Sequence, residues 1–271
     1  MSLYTASLNS GSNGNCYYVG NHQDAVLIDA GISCRETETR MARLGLSMRT
    51  VRAIFISHEH SDHIRGLAVL SRKYQVPVYI TPLTLLNSGL QLEECLVKPF
   101  FTNEAVRLGS LLIEPFSKMH DASHPHSFSV SGGNIKVGVF TDLGGVCENL
   151  IGHFKKCHAA FLESNYDDEM LESGRYPYHL KRRIRGGKGH LSNSQALALF
   201  TAHRPAFMSH LFLAHLSKDN NCPELAKALF NSLGTNVHVA VASRYCESAL
   251  HHISGVAGEL PETVARQFSL F

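Results

Sequence analysis

The sequence has no strong excess of either charge and no long hydrophobic run. Its 25 Lys and Arg residues nearly balance its 23 Asp and Glu residues, which gives a formal net charge of +2 over 271 residues. A near-neutral chain creates no global field that would favour a nucleic acid or a membrane surface. No segment reaches the roughly 18 consecutive apolar residues of a transmembrane helix, and the first residues lack the basic and apolar regions of a signal peptide. We therefore expect no membrane association, and any anion binding must depend on local patches.

The cysteines form no recognisable pairs. There are seven, an odd number, and none stands in a Cys-x-x-Cys motif. This pattern argues against a disulfide framework and against a zinc site made of thiolates. We expect free thiols and a cytoplasmic protein.

Short apolar runs and helical segments alternate along the chain, without repeats, low-complexity tracts or linkers rich in proline or serine. Runs such as AVLIDA, AIFIS, KVGVFT, AAFLE and HLFLAH predict strands, whereas NSQALALFTAH and PELAKALFNSL have helical spacing. Because 44% of the residues are hydrophobic, the chain can bury a substantial core. The pattern predicts an α/β protein in which residues 1–271 form one domain, with two sheets and helices packed outside them.

Four potential metal ligands stand together in the stretch AIFISHEHSDHIRG. His58 and His60 follow the predicted strand, and we expect their side chains on the same side of the chain. Asp62 and His63 come where a helix is predicted to begin, with Ser61 as its N-cap. Imidazole and carboxylate ligands suit zinc or a similar divalent metal. The spacing excludes an HExxH zinc protease, because Asp62 stands where that motif needs a histidine.

Further His and Asp residues border apolar runs downstream. His120, with His124 and His126 close behind, lies in KMHDASHPHSF, while Asp142 follows the run KVGVFT and His215 follows HLFLA. A site formed at the ends of strands requires ligands at such positions, directly beside the predicted strands. Four local ligands are too few for two metals, but the larger set is sufficient for two ions.

The combined pattern resembles the metallo-β-lactamase superfamily of metallohydrolases, whose signature is H-x-H-x-D-H. The resemblance implies a four-layer αββα sandwich of two mixed sheets with helices outside. It also implies two divalent ions, with zinc, manganese and iron as the candidates and zinc the first of them, and a catalytic role for Asp62. The implied ligands are His58, His60 and His120 for one metal, Asp62, His63 and His215 for the other, and Asp142 as the bridge.

Longer stretches are similar to one branch of this superfamily, the YycJ-like or WalJ-like proteins. They include LNSGSNGNCYYV, LIDAGIS, HEHSDHIRGL, TDLGG, LESNYDDEML and LAHLSKDNN, and together they span residues 8–221 in one order. One departure is Tyr166, where many members are expected to have histidine. The resemblance implies a nuclease that uses a metal-activated hydroxide to cut DNA, as an exonuclease acting from the 5′ end.

A basic run lies close in sequence to another histidine. The stretch LKRRIRGGKGHLSN has five Lys or Arg residues just before His190. Such a run is either a patch that follows a phosphate backbone or a solvated helix end. His190 is either a catalytic donor of a proton or hydrogen bond to a phosphate, or a structural residue. The residues predicted to contact the substrate are Lys181, Arg182, Arg183, Arg185, Asn165 and Ser217.

Three other functions stay open at this point. A small thioester or ester hydrolase of the glyoxalase II type would share the metal ligands, but it has no evident need for the basic run. A flavodiiron redox protein would need a carboxylate at the position of His60, and a non-enzymatic binding module is expected to have lost some of the seven ligands. The SGSNGN loop, residues 10–15, is either a plain hairpin turn or one edge of the site.

Overall fold

Two seven-stranded sheets form the centre of the computed structural model, which describes residues 2–255. Residues 1 and 256–271 of the predicted domain lie outside the described residues. The strands of the first sheet are β1 Leu3–Asn9, β2 Cys16–Gly20, β3 Ala25–Ile28, β4 Val51–Phe55, β5 Val78–Tyr79, β6 Val97–Lys98 and β14 His251–Ile253. Their order across the sheet is β14-β1-β2-β3-β4-β5-β6. The pairs from β14 to β3 are antiparallel and those from β3 to β6 are parallel, so the sheet is mixed.

The second sheet is likewise divided into parallel and antiparallel strand pairs. Its strands are β7 Val106–Leu108, β8 Leu111–Ser117, β9 His126–Gly132, β10 Ile135–Phe140, β11 Ala159–Glu163, β12 His210–Ala214 and β13 His238–Val241. Their order is β13-β12-β11-β10-β9-β8-β7. The pairs from β13 to β10 are parallel and those from β10 to β7 are antiparallel, so this sheet is mixed as well.

Helices cover the outer faces of both sheets. Those within the described residues are α1 Cys34–Arg43, α2 Ser61–Ile64, α3 Leu67–Tyr74, α4 Pro82–Ser88, α5 Glu148–Phe154, α6 Asp168–Ser173, α7 Tyr178–Arg185, α8 Asn193–His203 and α9 Pro223–Asn231. Local sequence favours the starts of two of these helices. Ser192 and Gln195 form a capping box at the start of α8, and Pro223 occupies the first turn of α9. No helix within residues 2–255 is long and apolar enough to cross a membrane.

Alternating side chains on the buried strands fill three apolar layers. Val26 and Ile28 of β3 point into the layer between the sheets, whereas Ala25 and Leu27 point toward α1 and α3. In β12, Phe212 lies between the sheets and Leu211 packs toward α5, α8 and α9. Strands that are apolar on both faces must be covered on both. The result is the four-layer αββα arrangement that the family resemblance implies, with two mixed sheets and helices outside.

One local prediction was wrong. Ser61 is the first residue of α2, and the N-cap is His60, which forms no side-chain capping bond. The helix also breaks at Gly66, whose backbone N–H donates to the carbonyl of Ala30 at 2.8 Å. A Cβ on Gly66 would lie 1.9 Å from the carbonyl oxygen of Ile32. Close backbone contact with the segment after β3 therefore replaces one long helix by α2 and α3.

Candidate metal centre

The predicted ligands lie at the carboxyl ends of strands from both sheets. His58 follows β4 in the first sheet, while Asp142 follows β10 and His215 follows β12 in the second. Ends of neighbouring parallel strands meet at one edge of a sheet, and the two sheets place these edges side by side. The fold thereby brings together all seven of the predicted ligands, which belong to four overlapping groups of close ligand atoms. Two of these groups are described below.

The first group consists of His58, His60 and His120. The Nε2 atom of His58 lies 3.1 Å from Nδ1 of His60. The ring centroid of His120 lies 4.8 Å from that of His58 and 5.2 Å from that of His60. Nitrogen ligands of one tetrahedral zinc ion lie about 3.3 Å apart, because each zinc–nitrogen bond is about 2.0–2.1 Å long. The group therefore has the spacing of a three-histidine metal site.

The second group consists of Asp62, His63 and His215. Oδ2 of Asp62 lies 3.6 Å from Nε2 of His63 and 3.7 Å from Nε2 of His215. Asp142 stands between the two groups, with Oδ2 3.2 Å from Nε2 of His63 and Oδ1 3.9 Å from Nε2 of His120. A carboxylate in this position can contribute one oxygen to each group.

The backbone around Asp62 is fixed by the SGSNGN loop. The N–H of Asn15 donates to the carbonyl of Asp62 at 2.7 Å, and the Asn15 side chain donates to Oδ2 of Asp62 at 3.2 Å. A Cβ on Gly31 would lie 1.6 Å from that same carbonyl oxygen, so only glycine fits there. Ser10 accepts the backbone N–H of His215 at 2.7 Å. The loop thus forms one edge of the site and is more than a plain hairpin turn.

Acceptors behind the histidines fix how the rings are oriented. Nδ1 of His63 donates to Asp29 at 2.7 Å, and Nδ1 of His120 donates to the carbonyl of Gly189 at 3.1 Å. Nδ1 of His215 donates to Glu163 at 2.9 Å. Each bond holds a proton on Nδ1 and turns Nε2 toward the other ligands, the orientation of metal-bound histidines held by carboxylates or carbonyls.

Several converging atoms have no hydrogen-bond partner within residues 2–255. Nε2 of His120, Nε2 of His215 and Oδ2 of Asp142 are all buried and unpaired. Each such buried polar atom costs about 1–3 kcal/mol if nothing satisfies it. Three neighbouring unpaired acceptors are what a bound cation would satisfy, so the donor set fits divalent metal ions.

The backbone is strained at the same place. Asp29, Asp142 and His215 have φ angles of 62°, 53° and 57°, in the left-handed region that non-glycine residues rarely adopt. Asp29 and His215 directly follow the last residue of their strands, and Asp142 is the second residue after β10. Strain of this kind persists where surrounding contacts enforce it, and such positions cluster at functional sites.

Negative charge dominates the electrostatics. Burial raises the pKa of Asp142, but the neighbouring His215 and His63 lower it well below its ordinary value. Burial likewise raises the pKa of Glu163, and His190 and His215 bring it down to about 2. Both carboxyl groups are therefore ionised at neutral pH. The buried Lys118, whose amine donates to the carbonyl of Thr141 at 2.7 Å, adds positive charge near them.

A cavity of about 200 Å³ opens beside the second group. Three of the predicted substrate contacts, Asn165, Arg183 and Ser217, line it together with His190 and His215. The side chain of His190 is 24% exposed, and its Nδ1 donates to Glu163 at 2.8 Å. Its Nε2 is thereby left available on the cavity side.

The other basic residues lie apart from this cavity. Lys181, Arg182 and Arg185 line a second cavity of about 330 Å³ together with Tyr178. All of these residues belong to α7, which has no buried residue. The basic run therefore flanks the proposed metal site through Arg183 and extends away from it along α7.

Sequence reasoning missed two acidic residues of the site, Asp29 and Glu163. Asp29 accepts from His63 and from the N–H and hydroxyl of Ser57, and Glu163 accepts from His190 and His215. Both stand at the end of an apolar run, AVLID and AAFLE. The same signal identified Asp142, so it was available for these two as well.

The remaining histidines of the KMHDASHPHSF stretch lie outside the ligand groups. His126 begins β9, is buried, and bonds through its two ring nitrogens to Thr102 and to the carbonyl of His124. Burial lowers its pKa to about 4. Tyr166, at the position where histidine was expected, is also buried and pairs with Ser192 in an isolated bridge. His126 belongs to none of the close ligand groups.

The site's family is indicated by comparison with known proteins. Residues 10–180 match the family described as the metallo-beta-lactamase superfamily. The chain is 38% identical over 232 residues to exodeoxyribonuclease YycJ of Bacillus anthracis, covering 84% of this chain and 87% of that protein. It is 33% identical over 224 residues to exodeoxyribonuclease WalJ of Streptococcus pneumoniae, covering 81% of this chain and 83% of the relative.

The fold is similar to that of a solved structure with little sequence similarity. The metallo-beta-lactamase fold protein YhfI from Bacillus subtilis superposes with a TM-score of 0.70 at 15% identity, covering 92% of this chain and 99% of that one. At this identity the likeness concerns the fold alone.

Proposed function

The chain belongs to the metallo-beta-lactamase superfamily, and we propose that it is a metal-dependent exonuclease that degrades DNA from the 5′ end. The observation that carries the proposal is the pair of ligand groups joined by Asp142 at the strand ends. The exodeoxyribonucleases that resemble the chain over more than four-fifths of its length support DNA as the substrate. The 5′ polarity rests on the resemblance to the YycJ-like branch.

The proposed centre holds two divalent ions. His58, His60 and His120 would hold one, and Asp62, His63 and His215 the other, with Asp142 shared between them. Zinc suits this set of imidazoles and carboxylates, and manganese and iron are alternatives. When bound, such ions lower the pKa of a coordinated water and neutralise charge on a phosphate.

His190 is proposed as the proton donor to the leaving oxygen of the phosphodiester. Its Nδ1 is held by Glu163, which orients the ring and leaves Nε2 for the cavity side. Asp62 is proposed to contribute to catalysis as a ligand whose carboxylate Asn15 keeps in place.

The cavity beside these residues is the proposed position of the scissile phosphate. Asn165 and Ser217 contribute polar groups there, and Arg183 contributes a positive charge at its rim. The remaining basic side chains of α7 would follow the DNA backbone as it leaves the cavity. We also propose a cytoplasmic location, which the seven free cysteines support because thiols stay reduced in that compartment.

The test is a comparison of substrates with the metal-loaded enzyme. DNA labelled at the 5′ or the 3′ end, RNA of the same sequence and a small thioester are each incubated with protein reloaded with zinc or manganese. We expect stepwise shortening of DNA from the 5′ end, with a KM that rises steeply with salt. Robust thioester turnover without DNA degradation would overturn the proposal and favour a glyoxalase-like hydrolase.

A further inference from the structure

We propose a second, structural metal site, made of His210, His238 and His251, where the edges of the two sheets meet. His210 begins β12, His238 begins β13 and His251 begins β14. The site would take a divalent ion that favours imidazole, such as zinc, nickel or copper. It is separate from the proposed catalytic centre, because His215 comes five residues after His210, just past the other end of β12, which is about 16 Å along a strand.

Strand register directs the three side chains to the same place. His210 and His238 are directly paired neighbours on β12 and β13. His210 is on the same face of its strand as Phe212, two residues further on, and His251 is on the same face as Ile253; both Phe212 and Ile253 lie between the sheets. All three imidazoles therefore lie on the inner side of their sheets, at the rim of the central apolar layer.

The distances between the rings suit a common ion. The ring centroids are 5.3 Å apart for His210 and His238, 5.5 Å for His210 and His251, and 5.7 Å for His238 and His251. Three imidazoles on one tetrahedral ion have centroids about 5 Å apart, given metal–nitrogen bonds of about 2.0–2.1 Å. The ring nitrogens do not all lie within 4.8 Å of one another, so binding would require rotation of the exposed His238 and the half-buried His251 side chains.

His210 already has the orientation of a ligand. The hydroxyl of Ser209 donates to the carbonyl of His158 at 3.2 Å, so its oxygen accepts the Nδ1 proton of His210 at 2.8 Å. The lone pair of Nε2 then points into the cluster, where this atom is buried without a hydrogen-bond partner in residues 2–255. The residue is only 5% exposed, so water does not readily satisfy that atom, whereas a metal ion bound to the cluster would.

Burial also keeps the imidazoles neutral. It lowers the pKa of His210 and of His251 to about 4, and it lowers that of His238 as well. Neutral imidazole is the form that binds metal. An ion held by all three would join β12 and β13 of the second sheet to β14 of the first, and so would stabilise the folded chain against heat.

The experiment measures zinc per chain and the thermal midpoint of unfolding in the whole protein, with and without micromolar free zinc. The test variant is the double substitution His238→Asn and His251→Asn, which changes accessible side chains and leaves the buried His210 in place. The control is His252→Asn, the neighbouring exposed histidine, whose ring lies 5.0 Å from that of Tyr4 at an angle of 37°. Circular dichroism checks that all proteins are folded.

We expect the double variant to bind about one zinc ion fewer than the wild type and to gain less in thermal midpoint from added zinc. The control should match the wild type in both. Equal zinc contents and equal thermal responses in all three proteins would overturn the proposal and show that the histidines only pack together. Since only differences between variants count, the result does not depend on how many ions the catalytic centre holds.

Discussion

At the scale of single residues, the geometry of the candidate centre depends on what stands behind each imidazole. Asp29, Glu163 and the carbonyl of Gly189 accept Nδ1 protons and leave Nε2 atoms pointing at one another. Glu163 holds two rings at once, those of His190 and His215. A single buried carboxylate therefore links a proposed metal ligand to the proposed proton donor.

Replacing Glu163 by Gln should weaken metal binding, because a neutral amide orients His215 less firmly and no longer raises its basicity. Loss of such a supporting carboxylate typically costs about 10–100-fold in metal affinity. Competition against a chelator measures the change, with Glu172→Gln on exposed α6 as the control. Unchanged metal affinity in Glu163→Gln would contradict the supporting role.

His190→Ala should instead keep the metals and lower kcat by about 10²–10⁴-fold.

His126 should make stability depend on pH. Its pKa is lowered from 6.5 to about 4 in the folded chain, so the unfolded chain binds a proton more readily between these values. The folded state therefore loses stability as pH falls below about 6.5, by about 2 kcal/mol between pH 7 and pH 5. His126→Gln should remove that part of the loss, whereas the exposed His252→Gln should not. Urea unfolding at both pH values measures it, and equal losses in all three proteins would refute the assignment.

At the scale of elements, α7 shows how ion pairing divides a basic run. Arg183 pairs with Asp121 at 2.6 Å, and Arg185 pairs with Glu172 at 2.5 Å. The amine of Lys181 donates to the carbonyl of Glu172. Within residues 2–255, Arg182 and Lys188 have no carboxylate partner, and Arg182 lies over the ring of Tyr178. The five basic residues are equivalent in the sequence but not in the structure.

Removing the two unpaired charges should reduce the salt dependence of DNA binding. Each neutralised phosphate releases counterions, so Arg182→Gln with Lys188→Gln should lower the log–log slope of affinity against salt by roughly one to two. The matched control is Lys155→Gln with Lys156→Gln, two exposed lysines after α5. Binding titrations over a range of salt concentrations measure both. An equal loss from the control pair would show that Arg182 and Lys188 make no special contact with DNA.

Much of the element pattern is predictable from the sequence. Long apolar runs such as AVLIDA and HLFLAH are strands, and NSQALALFTAH is α8. Short elements such as β6, β7 and α4 were not predicted, because two to seven residues carry too little periodicity. The break at Gly66 was also missed, since it results from contact with the distant residue Ile32 rather than from local sequence.

At the scale of the whole molecule, each sheet contributes one part of the proposed centre. The first sheet brings the HxHxDH loop after β4, and the second brings His120, Asp142 and His215 after three of its strands. The ligand set was predictable because the signature and strand-end positions are visible in the sequence. The roles of Asp29 and Glu163 were not, because they depend on which imidazole each one meets after the sheets pack.

The dinuclear centre is tested by the metal content of His120→Ala, measured by elemental analysis beside the wild type and His124→Ala. His120 belongs to the first ligand group, while His124 lies four residues away and outside it. We expect about one ion fewer per chain in His120→Ala, with loss of most DNA hydrolysis, and no change in His124→Ala. A full metal complement in His120→Ala, or a loss confined to His124→Ala, would contradict the dinuclear centre.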